Sequence, residues 1–241
     1  DNFASIVAAV EQGRIIYANI RKFVFFLLAC NVGEILIIFT AMLVGLPLPL
    51  QPIQLLWLNL VTDGAPALAL GMEEGERDIM QRPPRAPDEP VINRAMAIAI
   101  GFVGVVDALA ILGVFWLALQ RYPDQLIAAQ TIAFVTLCCS ELLRAFTARS
   151  ERYSVFSVGV FSNRWMVWAV SGSFLLVLMT VYVPFFRTIF DTVALTGRDW
   201  LLMLPFVFAS PLAMELLKVH FRRTPREPRR STIDGRQEQE G

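Results

Sequence analysis

Among the carboxylates inside apolar stretches of the chain, three stand out, two of them with oxygen-bearing neighbours at helical spacing. Glu34 closes the cluster Asn31-Val-Gly-Glu34. Asp63 stands in Asn59-Leu-Val-Thr62-Asp63-Gly64-Ala-Pro66, and Glu141 lies in a later stretch. A carboxylate at bilayer depth costs about 2.5–3.5 kcal/mol on insertion scales, so it marks a functional site by default. Residues three or four apart share one face of a helix. Asn31 therefore sides with Glu34, and Asn59 with Thr62 and Asp63. The three carboxylates, the two carboxamides and the threonine hydroxyl carry nine oxygens suited to a hard cation. Calcium takes about 6–8 oxygens in an adaptable shell, whereas magnesium prefers a rigid octahedron and holds its water. Nine oxygens complete one calcium shell and begin a second. The alternative is hydrogen bonding between helices by protonated carboxyls, which suits one such residue better than three. Metals that favour imidazole are disfavoured, because the single histidine, His220, falls at a membrane edge.

The elements that must position these groups are membrane helices. The chain has 241 residues, is 56% hydrophobic and has zero formal net charge, and its charges collect between long apolar runs. Six runs approach or exceed the roughly 20 residues a spanning helix needs. They are Phe23–Gly45, Ile53–Met72, Ala95–Leu119, Leu126–Phe146, Trp165–Phe186 and Trp200–Val219. The expected fold is an all-α integral membrane bundle of six transmembrane helices. Residues 1–22 form the end of a cytoplasmic stalk helix, 23–221 the cation-transport domain, and 222–241 a disordered cytoplasmic tail. The first two spans are joined by Leu46–Pro52, short and uncharged, which makes them a hairpin with Glu34 and Asp63 at one depth. Gly64 and Pro66 follow Asp63 within one turn. Proline lacks a backbone donor and clashes with the preceding turn, so the second helix is expected to break there.

Basic residues concentrate on the cytoplasmic side of membrane proteins. Of the 21 here, only Arg121, Arg187 and Arg198 fall outside if the N-terminus is cytoplasmic. Both termini are then cytoplasmic. The loop between the second and third spans opens with Glu73-Glu74-Gly-Glu76-Arg77-Asp78. Two readings stand for it: an acidic funnel that concentrates cations, or a solvated loop stiffened by proline. Cys30, Cys138 and Cys139 lie in apolar runs and are expected to pack as small hydrophobes; a soft-metal site is the alternative. The chain opens on Asp1 and is read as the C-terminal piece of something longer.

Several runs together carry a resemblance. Asp1-Asn-Phe-Ala-Ser-Ile-Val-Ala-Ala-Val-Glu11-Gln-Gly-Arg14, Asn31-Val-Gly-Glu34, Leu55-Leu-Trp57-Leu-Asn59-Leu-Val-Thr62-Asp63-Gly64 and Asp78-Ile-Met-Gln-Arg82-Pro83-Pro84-Arg85 occur in order, followed by the Glu141 helix. Over residues 1–223 the chain resembles the last six membrane helices of the calcium-transporting P-type ATPases, in particular the sarco/endoplasmic-reticulum type. The sodium/potassium pumps are similar in layout but usually carry a proline where Val-Gly precedes Glu34.

The resemblance implies that Asn31, Glu34, Thr62, Asp63 and Glu141 surround one calcium, and that Asn59 and Asp63 contribute to another. It also implies ATP-driven export of Ca2+ with proton counter-transport. ATP and Mg2+ would bind only in other domains of the parent protein, since no Asp-Lys-Thr-Gly phosphorylation motif occurs in this chain. No catalytic residue is expected here. The implied partners are the N-terminal part of the same pump and membrane lipid, with no nucleic acid, and the location is a cell membrane. Manganese and sodium are lesser ion candidates. A secondary cation/proton exchanger, or a non-catalytic partner of a separate ATPase half, are the competing classes. Two charges depart from the family pattern. Arg144, three residues after Glu141, is expected to extend toward the membrane surface; turned inward, it would replace a cation and leave one ion per cycle. Asp107, in the third span, either pairs with an arginine or is protonated against a neighbouring helix. Glu215 and Lys218 are expected to pair at the membrane edge.

Overall fold

The computed structural model describes residues 3–76, 78–84, 90–150 and 153–223, with backbone alone for 220–223. The expected tail lies outside these, apart from the last residues of the final helix. Among the described residues the chain is helical, and six helices are long and apolar enough to cross a membrane. Helix α1 runs unbroken over Phe3–Leu43, so the amphipathic N-terminal stretch and the first span form one rod. At 1.5 Å per residue it is about 60 Å long, far longer than a bilayer core requires. Its first turns leave Phe3, Ile6, Val10 and Ile16 exposed.

After Gly45, in the left-handed region at φ 72°, the chain returns as α2 (Pro52–Trp57), a π-helical segment (Leu58–Asp63) and α3 (Gly64–Gly71). Pro52 opens α2, where its missing N–H costs nothing. Pro66 supplies no N–H to the preceding turn, and its ring crowds the carbonyl four residues back. The helix answers by widening rather than by unwinding: Gly64 keeps helical angles of φ −61° and ψ −51°. The break expected at Gly64 and Pro66 is thus a change of helical pitch. Such π turns within α-helices are frequent at functional sites.

Helix α4 (Arg94–Arg121) starts at Asn93, whose side chain accepts from the Met96 N–H. Helix α5 (Leu126–Thr147) is the buried centre of the bundle, packed by α4, α7 and α9. A short turn, α6 (Val155–Val158), leads to α7 (Arg164–Tyr182). The fifth apolar run does not continue to Phe186 as one rod. Pro184 forces Val183 into extended backbone (φ −89°, ψ 119°), the usual state of a residue before proline, and a separate α8 (Pro184–Phe190) follows. Helix α9 (Gly197–Arg223) closes the fold.

Lipid is as apolar as leucine, so helices in a membrane associate through close packing and polar links instead of hydrophobic burial. Glycine permits that packing where α1 meets α4. A Cβ at Gly104 would lie 2.9 Å from Val32 Cγ1, and one at Gly33 would lie 3.4 Å from Asp107 Cβ. Leu68, Leu109, Trp168 and Leu216 point outward, as a lipid-facing surface requires. The site-bearing elements, α1, the π-helical segment and α5, meet inside this shell.

Candidate cation site

Helix α1 contributes Cys30 and Glu34, the π segment Asn59, Thr62 and Asp63, and α5 Glu141. Glu34 accepts two hydrogen bonds from Asn59 Nδ2, at 2.9 and 3.2 Å. The same amide nitrogen reaches Leu55 O at 3.0 Å. Thr62 Oγ1 bonds back to Leu58 O at 2.8 Å and reaches Glu141 Oε2 at 3.4 Å. Asp63 is completely buried, and neither of its oxygens finds an N–H or O–H donor among the described residues. Cys30 Sγ and one oxygen each of Asp63 and Glu141 lie within 4.8 Å of one another. At that separation two full carboxylate charges repel by about 3–4 kcal/mol at an effective dielectric of about 20. A divalent cation between them would relieve that repulsion and complete the bonding of Asp63.

Of the six expected ligands, Asn59 bonds Glu34, while Thr62 and Asp63 lie against Glu141. Asn31 donates Nδ2 to Leu27 O of its own helix at 2.8 Å, and no hydrogen bond joins it to the other five among the described residues.

Arg144 corrects an expectation. It does not extend to the membrane surface but is fully buried. Nη1 forms an ion pair with Asp107 and donates to Ser210 Oγ at 3.1 Å. Nη2 donates to Cys30 Sγ at 3.1 Å and lies 3.7 Å from Glu141 Oε1. The reason is the counter-charge on α4, which the close α1–α4 approach at Gly33 brings to the bundle interior. A guanidinium with a buried carboxylate partner has no need to reach water. Of the two readings of Asp107, pairing with an arginine is the one realised, supported by Ser140 Oγ at 3.4 Å.

Cys30 is a neighbour of the site that its apolar surroundings concealed. It packs among Phe26, Ala67 and Leu70 as expected of a small hydrophobe, yet its sulfur faces Asp63 and Arg144. Its position one turn before Glu34 was the available signal. The acidic loop is also not an open funnel. Glu73 is buried against Arg149 at 2.7 Å, while Glu76 and Asp78 both pair with Arg82. Partial burial works against the Arg82 charge, but hydrogen bonds to Asp78 and Glu76 outweigh it and raise its pKa above the ordinary value. The Glu215–Lys218 pair forms as expected, at 2.7 Å.

A family model described as cation transporting ATPase, C-terminus, matches residues 47–220. The chain is 50% identical over 204 residues to a calcium-transporting ATPase of Bacillus subtilis (strain 168), covering 85% of this chain and 23% of that protein. It is 39% identical over 234 residues to calcium-transporting ATPase 1 of Bacillus cereus, covering 91% of this chain and 26% of that one. Against calcium-transporting ATPase type 2C member 2 of Mus musculus it is 33% identical over 219 residues, covering 91% of this chain and 23% of the relative. The chain thus spans about a quarter of the length of the curated relatives it matches.

Proposed function

The chain belongs to the cation-transporting ATPases, as their C-terminal membrane region, and on that premise we propose that it binds and translocates Ca2+ for a pump that exports the ion from the cytoplasm. Both termini face the cytoplasm, as the basic residues require, and the pump works in a cell membrane. Phosphorylation by ATP, with Mg2+, belongs to the N-terminal part of the same protein, which is also the principal partner of this chain. The observation that carries the reading is Asp63: buried, with one oxygen within 4.8 Å of a Glu141 oxygen, and supplied with no N–H or O–H donor by the described residues.

The arrangement favours one calcium per cycle. The Arg144 guanidinium occupies the Glu141 side, where the family pattern implies a second ion, and Asp107 balances its charge. Glu34, Asp63 and Glu141 remain as the charges a divalent cation neutralises. After the ion leaves, protons take its place on these carboxylates and return to the cytoplasm with them, because uncompensated carboxylates at this depth are costly.

The test is Asp63→Asn in the full-length protein, which keeps the side chain's size and removes its charge. Saturable binding of radioactive calcium should disappear together with calcium-dependent phosphorylation from ATP. Normal calcium affinity in that variant would overturn the central role of Asp63.

A further inference from the structure

Beyond the ligands themselves, three of the helices that carry the site are tied together at one end by a single buried cluster. Glu73 lies two residues after α3, and Arg149 two residues after α5. Arg149 Nε and Nη2 donate to the two Glu73 oxygens at 2.9 and 2.7 Å. Nη2 also donates to Ser162 Oγ at 2.5 Å, and Nη1 to Gly159 O and Val160 O at 2.7 and 3.1 Å. All five N–H groups of the guanidinium are thus used, the full capacity of an arginine. Glu73 accepts in addition from Asn163 Nδ2 at 2.8 Å, the residue that caps α7. Its backbone carbonyl accepts from Asn19 Nδ2 of α1 at 2.7 Å.

We propose that Glu73 and Arg149 are positioning residues that set cation affinity by fixing the lengthwise register of α3 against α5 and α1. The inference rests on the cation-site reading above. Asp63 is ten residues before Glu73, Glu141 eight before Arg149, and Asn19 eleven before Cys30. At 1.5 Å per residue the cluster lies about 12–17 Å from the site along each helix. Between α2 and α3 stands the π segment, whose wider turn holds a residue more than an α turn would. Moving that extra residue along the chain slides α3 relative to α2, and Asp63 sits at the junction. The position of Asp63 is therefore poorly fixed from the α2 side, and the anchor at the far end of α3 sets it. Glu73 and Arg149 form that anchor, because their bidentate pair is directional in a way a single contact is not.

The test uses the full-length protein, with radioactive calcium binding read as affinity and as amount bound at saturation. Neutralising both partners, Glu73→Gln with Arg149→Gln, avoids leaving one charge buried alone. The double variant should bind calcium about tenfold more weakly, within the range for changes that act on a distant site through packed elements, with the amount bound at saturation unchanged. Arg149→Lys keeps the charge and loses the fork, and should fall between the double variant and the wild type. Wild-type affinity in either variant would overturn the proposal. So would a loss confined to the amount bound, since that reports misfolded protein and not a displaced site. Absence of binding in the wild-type protein itself would instead overturn the cation-site reading, an outcome distinct from any result with the variants.

Discussion

Replacing Arg144 by asparagine should convert a protein that binds one calcium into one that binds two. Arg144 is fully buried, pairs with Asp107, bonds Ser210 and Cys30, and stands 3.7 Å from Glu141. Removing one partner of a buried ion pair leaves the other uncompensated, at a cost of about 3–5 kcal/mol. Here the stranded partner is Asp107, beside Glu141. Without calcium the variant should therefore melt well below the wild type. Calcium should recover more stability in the variant, because a second ion restores the lost charge balance. One added site held at a hundred times its dissociation constant contributes about 2.7 kcal/mol, which offsets most of the penalty. Thermal melting with and without calcium gives the first number, and equilibrium binding of radioactive calcium per protein gives the second. The double variant Asp107→Asn with Arg144→Asn removes both charges together. It should melt nearer the wild type and still bind two ions if the guanidinium is what excludes the second. Unchanged stoichiometry in both variants, with folded protein, would refute the idea that Arg144 stands in for a cation.

Two further outcomes follow from the packing and the loop. Gly104→Ala places a methyl 2.9 Å from Val32 Cγ1 and 3.4 Å from Gly33 N, so α4 must shift away from α1. Overpacking of this kind costs about 1–3 kcal/mol, to be read as a lower melting temperature. Glu76→Gln with Asp78→Asn should leave the calcium association rate at low salt unchanged, because both carboxylates are already paired with Arg82. A salt-sensitive fall in rate, measured by stopped flow, would restore the funnel reading.

Much of the molecule was legible in the chain alone. Apolar run length gives six spanning helices, because in lipid every backbone group must be satisfied within its own segment. Helical spacing puts Asn59, Thr62 and Asp63 together, and all three do stand in one π-helical segment, Asn59 bonded to Glu34 and Thr62 to Glu141. Asn31 shows where spacing ends: it shares a turn with Glu34 yet bonds its own helix at Leu27. Spacing fixes a face, not the direction a side chain takes from it. The proline after Asp63 marked the interruption, but whether the helix opened or widened depended on neighbours that hold Gly64 in helical angles.

What the sequence determined was the kind of protein, the carboxylates buried in its spans and the place of the interrupted helix, since all of these are set by local spacing and composition. The tertiary structure alone decided the fate of the charges. Arg144 and Asp107 are 37 positions apart, as Glu73 and Arg149 are 76 apart, and no local pattern links either pair. A buried charge is stable only beside its partner, and which partner it meets is fixed by how the helices cross. The approach of α1 to α4 through Gly33 and Gly104 carries Asp107 inward, and so turns Arg144 from a surface charge into a buried one beside Glu141.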